Sequence, residues 1–203
     1  MNDKSFLNNI DFEKYKNILS IKNIKAGTLL FSEGDECNTL GILISGEIKI
    51  STLTALGKEY IIKVLHENDT FGDTLLFSEQ NTYLGDGITT KDCKILYISK
   101  ASLLILLQDP TILESYLTML AAKSSRINER LKLFSQKSIE DRVIFYLTLE
   151  CKRLNSNIIP ITSKETLANI LNIPRPSLSR ELINLKNKKI IEYNKKHITL
   201  LKD

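Results

Sequence analysis

The hydrophobic period of the chain changes once, at Asp109-Pro110, and that change divides the molecule. Before it, residues 20 to 100 carry the short apolar runs GTLLFSEGDE, TLGILISGEIKISTL, GKEYIIKVLHENDTFGD and CKILYIS, punctuated by Gly27, Gly34, Gly46, Gly57 and Gly72. Gly46-Glu47-Ile48-Lys49-Ile50 alternates with the period of two that puts one face of a strand into a core. Many short strands with such punctuation predict an antiparallel roll or barrel. Ahead of it, Ile10, Phe12, Tyr15, Ile18 and Leu19 predict a short amphipathic helix over residues 8 to 19.

After the break, Leu113, Leu117, Leu120, Ser124, Ile127, Leu131 and Phe134 fall at alternating steps of four and three, an a/d seam interrupted by one serine. A helix of about 24 residues reaches roughly 36 Å. Its two-per-seven stripe is narrower than the face a helix lays on its own domain, so it predicts parallel pairing into a homodimer. The alternative is a single helix resting on its own domain. SIEDRVIFYLTLECKR, residues 138 to 153, then predicts an amphipathic helix offering Val143, Ile144, Leu147 and Cys151 to a core.

Residues 162 to 182, TSKETLANILNIPRPSLSREL, hold two of the four prolines. Thr162-Ser163-Lys164-Glu165 matches a capping box, which starts a helix at Ser163 and buries Leu167, Ile170 and Leu171. Asn172-Ile173 breaks it, asparagine being suited to left-handed backbone at a turn. A second apolar pattern follows at Leu178, Leu182 and Leu185. Pro174 and Pro176 then fall where a first helical turn needs no N–H, so they fix the entry of this second helix. Arg175, Ser177, Ser179 and Arg180 occupy its N-terminal turns, the part of a recognition helix that meets base edges and phosphates. Arginine can chelate guanine O6 and N7, and serine can bind a base or a phosphate. IIEYNKKHITLL predicts a hairpin whose tip carries Lys195 and Lys196, positioned to straddle a phosphate backbone. Helix-turn-helix plus hairpin makes a winged helix.

Charge follows the same division. Residues 1 to 110 carry 11 Lys/Arg against 15 Asp/Glu, residues 111 to 135 carry 4 against 2, and residues 136 to 203 carry 13 against 7, so only the last part favours a polyanion. Cys37, Cys93 and Cys151 are scattered without CxxC spacing, and His66 and His197 are the only histidines. Neither a disulfide framework, a zinc site nor a clustered catalytic centre is expected, and no metal and no enzyme activity are assigned. No apolar run approaches the roughly 18 residues of a membrane span and no signal-peptide pattern opens the chain, so a cytoplasmic location without membrane contact is expected.

The order of these parts resembles the CRP/FNR family of bacterial transcription regulators over residues 10 to 203. GTLLFSEGD, the Gly46-Glu47 turn and FGD at 71 to 73 resemble the glycine framework of its cyclic-nucleotide-binding jelly roll; ETLANILNIPRPSLSREL resembles its helix-turn-helix signature. The resemblance implies a homodimer joined along the long helix, reading a two-fold symmetric operator and contacting or blocking RNA polymerase. It places an effector pocket at Gly72, Asp73, Thr82 and Tyr83. In cyclic AMP-binding members an Arg-Ser pair holds the cyclic phosphate about ten residues after the glycine; no arginine lies between Gly72 and Thr90 here, which disfavours cyclic AMP. The scattered cysteines disfavour the iron-sulfur cluster of the oxygen-sensing members, and His66 or Cys93 alone is a weak basis for haem. The effector is left unknown. Many members carry a glutamate where Pro176 stands, so the operator is expected to differ at that base pair, with Arg180 contributing about 1–3 kcal/mol of discrimination.

The expected fold class is thus α+β: an N-terminal antiparallel β-roll (jelly roll) over 1–109 that senses an effector, a long dimerisation helix over 110–135, and a C-terminal winged helix-turn-helix over 136–203. The expected function is a sequence-specific, homodimeric transcription regulator whose partners are double-stranded DNA, its own second copy, RNA polymerase and a small-molecule or redox signal. The alternative is a small-molecule-binding module that acts through protein contacts, its basic rear domain merely solvated.

Overall fold

The computed structural model describes residues 6–194 and 196–201. The chain divides into two compact units, residues 1–122 and 123–203.

In the front unit, Phe6–Asn9 forms a 3-10 turn and α1 a single turn, Phe12–Tyr15. The helix expected over 8 to 19 is therefore two short pieces. Asp11 is extended and its carboxylate accepts from the N–H of Glu13 and Lys14, which restarts the helix there, and strand pairing begins at Ser20. Eight strands follow: β1 (Ser20–Ile24), β2 (Leu29–Phe31), β3 (Thr39–Ser45), β4 (Ile48–Leu53), β5 (Glu59–Leu65), β6 (Thr70–Phe71), β7 (Asp86–Thr89) and β8 (Cys93–Ser99). They form two four-stranded antiparallel sheets, ordered β1-β8-β3-β6 and β2-β7-β4-β5. This is the expected roll.

The pleat sorts the first sheet's side chains into two cores. Leu43 and Ile95 go into the roll with Phe31, Ile48, Leu65 and Phe71. Leu40, Ile42, Leu96 and Ile98 go to the other face, where they meet Leu103 and Leu106 of α2 (Lys100–Leu106) and Ile112 and Tyr116 of α3 (Pro110–Phe134). Ser99 caps α2 by accepting from the Ser102 N–H at 3.1 Å.

Helix α3 buries Ile112 and Tyr116 in the front core and Leu133 in the rear core. The heptad stripe lies elsewhere on it: Leu113, Leu117, Ile127, Leu131 and Phe134 are 38%, 54%, 58%, 62% and 40% exposed, and Ser124 is exposed. Leu120 alone of the seam is half-buried, packing on the front core. No single helix among the described residues is long and apolar enough to cross a membrane.

The rear unit contains α4 (Ile139–Leu154), β9 (Ile158–Pro160), α5 (Lys164–Leu171), α6 (Arg175–Asn187), β10 (Ile191–Tyr193) and β11 (His197–Leu200), with the strands ordered β10-β11-β9. Val143 and Leu147 of α4 are fully buried, whereas Ile144 and Cys151 only pack against the core's edge. Three helices against a small antiparallel sheet make the expected winged helix.

Candidate nucleic-acid interface and front-domain cavity

Helix α5 starts one residue later than the capping-box reading placed it. Ser163, in extended backbone, is the cap: its Oγ accepts from the Thr166 N–H at 2.9 Å and lies 2.9 Å from the Thr166 hydroxyl. Glu165 consequently falls outside the reach of the cap and meets Arg175 at 3.5 Å instead. The same phase buries Leu167, Ala168 and Leu171 and leaves Ile170 39% exposed, correcting its expected burial. At about 100° per residue, Leu167, Leu171 and Ala168 share one arc of about 100°, and Ile170 lies about 60° outside it.

The turn and second helix follow the sequence reading. Asn172 is left-handed at φ 51°, and its N–H reaches the carbonyls of Ala168 and Asn169. Ile173 is 9% exposed and enters the core. Pro174 precedes α6 and Pro176 occupies its first turn, with no side chain capping that end. The N–H groups of Arg175 and Ser177 therefore have no intrahelical acceptor and face outward with the positive end of the helix dipole. Such an end binds phosphate.

Helix α6 is sharply two-sided. Leu178, Leu182 and Leu185 are completely buried, each contributing roughly 1.5–3 kcal/mol by burial. Arg175 and Arg180 are exposed, and Ser177 and Ser179 are half-exposed. Among the described residues Arg175 pairs with the solvent-exposed Glu165, a pair that costs little to exchange for a phosphate. Arg180 has no ion-pair partner among the described residues. Further along, Lys186 and Lys188 are occupied by Glu192 and Glu140, each at 2.7 Å.

The hairpin from β10 to β11 is the wing. Asn194 shapes its tip, its side-chain Oδ1 accepting from the N–H of Lys196 at 2.8 Å and of His197 at 3.0 Å. Lys196 is exposed beside it; Lys195 lies outside the described residues. Two further basic residues escaped the sequence reading. Lys164 places its Nζ 4.9 Å from the Tyr193 ring centroid, joining the start of α5 to the wing. Arg142 of α4 donates to the Leu171 carbonyl at 3.3 Å and the Phe134 carbonyl at 3.5 Å, bracing the C-terminal ends of α5 and α3. Only the third dimension brings those carbonyls to it.

In the front unit a cavity of about 360 Å³ opens beside Phe31, Phe71, Tyr83 and Tyr97. Of the four residues assigned to an effector pocket, Tyr83 lines it. Gly72, at φ 77°, is outside its lining, and a Cβ there would meet the carbonyl oxygen of the lining residue Thr39 at 2.5 Å and the Cys37 thiol at 2.8 Å. Asp73 is 6% exposed, within 3.1 Å of the Thr70 hydroxyl that donates to it, and Thr82 is bridged to Glu36. Burial pushes the Tyr83 phenol above its ordinary range, helped by the neighbouring Cys37. No cluster of three or more His, Cys, Asp or Glu side chains that could hold a metal ion occurs among the described residues.

Known proteins match both units. The model of the cyclic nucleotide-binding domain matches residues 21–109 and that of the Crp-like helix-turn-helix domain residues 141–202. The "Anaerobic regulatory protein" of Bacillus subtilis is 24% identical over 93% of this chain and 82% of its own length. The "Global nitrogen regulator" of Synechococcus elongatus is 23% identical over 90% of this chain and 86% of its own. The crystal structure of the Thermus thermophilus Catabolite Activator Protein superposes with a TM-score of 0.56 at 18% identity, covering 98% of this chain and 94% of that one. Roll, long helix and winged helix-turn-helix occur here in one order and over nearly the whole chain, and on that basis the protein belongs to the CRP/FNR family of transcription regulators and is not an enzyme.

Proposed function

We propose that the protein is a homodimeric, sequence-specific DNA-binding regulator that reads a two-fold symmetric operator under control of a small molecule sensed in the front roll. The observation that carries the reading is the division of α6: three leucines fix its inner face in the core, while Arg175, Ser177, Ser179 and Arg180 remain accessible on its first turns. That helix end suits the major groove, with Arg180 reading guanine and Arg175 and Ser177 holding phosphates. Lys196 sits at the wing tip for the flanking backbone. RNA polymerase is the expected protein partner, and the cytoplasm the expected compartment.

Dimerisation is supported by the exposed stripe of Leu113, Leu117, Ile127, Leu131 and Phe134, apolar side chains in a heptad register that a lone chain leaves in water. Sedimentation of the purified protein should give the mass of two chains. Leu117→Glu combined with Leu131→Glu should give one chain and weaken duplex binding by far more than tenfold, because two half-sites are no longer engaged together. Monomeric mass in the parent protein, or duplex binding no tighter than that of an equally basic control protein, would overturn the proposal.

A further inference from the structure

The front cavity is lined in a way that does not suit an anion. Its walls include Phe31, Phe71, Tyr83 and Tyr97, and its lining includes the carboxylates of Asp35 and Glu36 but no lysine or arginine. No arginine occurs anywhere before Arg126. The aromatic side chains form one cluster: Phe31 stacks on Tyr83 at 3.8 Å between centroids, Phe71 lies 5.6 Å from Phe31, and Tyr97 meets Phe71 edge-on at 6.1 Å.

Both carboxylates have spare acceptor capacity. Asp35 accepts from the Ser32 N–H at 2.8 Å through one oxygen, and Glu36 from the Asn81 amide at 3.1 Å through one oxygen. Neither is in an ion pair among the described residues. The cluster already accommodates an amino group elsewhere, since Lys22 Nζ lies 5.5 Å from the Tyr97 centroid. Acid and ring together are what a cation needs: the carboxylate supplies the charge partner, and the ring face attracts the cation through its quadrupole. The volume falls within the roughly 300–1,000 Å³ of small-molecule sites.

We propose that this cavity binds a small organic cation, an ammonium or guanidinium group on a compact apolar body, with its charge at Asp35 and Glu36 and its body against Phe31, Phe71, Tyr83 and Tyr97. The proposal rests on the reading of the front roll as a sensor and names the chemistry of what it senses. The walls of the cavity are mechanically joined. Gly34 N–H donates to the Tyr83 carbonyl, Tyr83 N–H to the Asp35 carbonyl and Cys37 N–H to the Asn81 carbonyl, so backbone hydrogen bonds tie residues 34–37 to 81–83. Phe71 continues through Gly72 to Asp73, whose carbonyl accepts from the Tyr116 hydroxyl of α3 at 3.3 Å. An occupant thus has a contiguous route to the long helix.

The test is calorimetric titration of the full chain with 2-phenylethylamine, protonated at neutral pH, beside 3-phenylpropionate, an anion of similar size. The amine should bind and the anion should not. Asp35→Asn combined with Glu36→Gln, both changes at exposed side chains, should weaken amine binding about tenfold or more. Absence of amine binding at millimolar concentration, equal binding of the anion, or an unchanged affinity in the double variant would each overturn the assignment. Duplex binding without amine, measured in parallel, should be the same in the parent and the double variant. Amine binding by a protein that ignores duplex DNA would sink the regulator reading and leave the cation site standing; the converse would sink the cation site alone.

Discussion

The two ends of this molecule treat charge in opposite ways. All six arginines lie at or beyond Arg126, and among the described residues Arg180 has no ion-pair partner and Arg175 pairs with the exposed Glu165. The front domain has no arginine and lines its cavity with four aromatic rings and two carboxylates. Both domains are nonetheless built on the same physics, a core of Leu and Ile side chains sorted by strand and helix period. What differs is what is left outside. Planar guanidinium groups suit phosphates and base edges, whereas ring faces and carboxylates suit cations, so the two domains are suited to ligands of opposite sign.

Several perturbations can break or sharpen that contrast. The largest effect is expected from Leu182→Ala, which removes a fully buried side chain from the rear core and should cost about 2–5 kcal/mol. Amide exchange should accelerate throughout residues 139–200 while residues 20–99 keep their protection; equal loss in both would mean that the cores are one unit. Gly87→Ala is the front counterpart. Its Cβ would stand 2.3 Å from the Phe31 ring, so overpacking should cost about 1–3 kcal/mol and disturb the Phe31–Tyr83 stack, with duplex binding spared. Lys196→Ala should weaken binding to all duplex sequences alike and reduce the slope of log affinity against log salt by about one per chain. A change confined to particular sequences would mean that the wing reads bases.

Acid should also separate the domains, with a smaller effect. Hydrogen bonds from Thr90 and Lys91 hold the Glu47 carboxyl below its ordinary value, Lys49 and Ser51 do so for Glu59, and Lys25 and the Ala26 N–H do so for Asp92. A lowered folded-state value means stability that is fully present above the unfolded value and lost as pH falls through the folded one. The front roll should therefore lose stability below about pH 4.5, and more gently in high salt, because Glu59 and Asp92 are exposed and Glu47 is only half-buried. Far-ultraviolet and aromatic circular dichroism, recorded across that range, would follow it.

The sequence was informative where local rules and tertiary structure agree. Pro174 and Pro176 fit a helix start for lack of an N–H, and Asn172 fits a left-handed cap, so the turn between α5 and α6 was legible residue by residue. Strand β7 was not. The Gly-Asp-Gly at 85–87 that leads into it reads as a turn, yet a Cβ on Gly85 would stand 2.7 Å from the Ser51 carbonyl oxygen and one on Gly87 2.3 Å from the Phe31 ring. The cap of α5 was misplaced by one residue because Thr162 and Ser163 are both competent caps and local sequence cannot choose between them. The cavity was legible only through Tyr83; the rings of Phe31 and Tyr97 come from strands far apart in the chain, and pairing alone assembles them.

The claim on which the account turns is that α6 reads sequence. Its most direct test is a selection of bound sites from randomised duplex DNA at about 0.15 M salt, run with the parent protein and with Arg180→Ala. The account predicts enrichment of a two-fold symmetric site with half-site centres about 34 Å apart, and its loss or relaxation at one base pair per half-site in the variant. Enrichment of the same site by both proteins, or none by either with or without added small molecules, would contradict it.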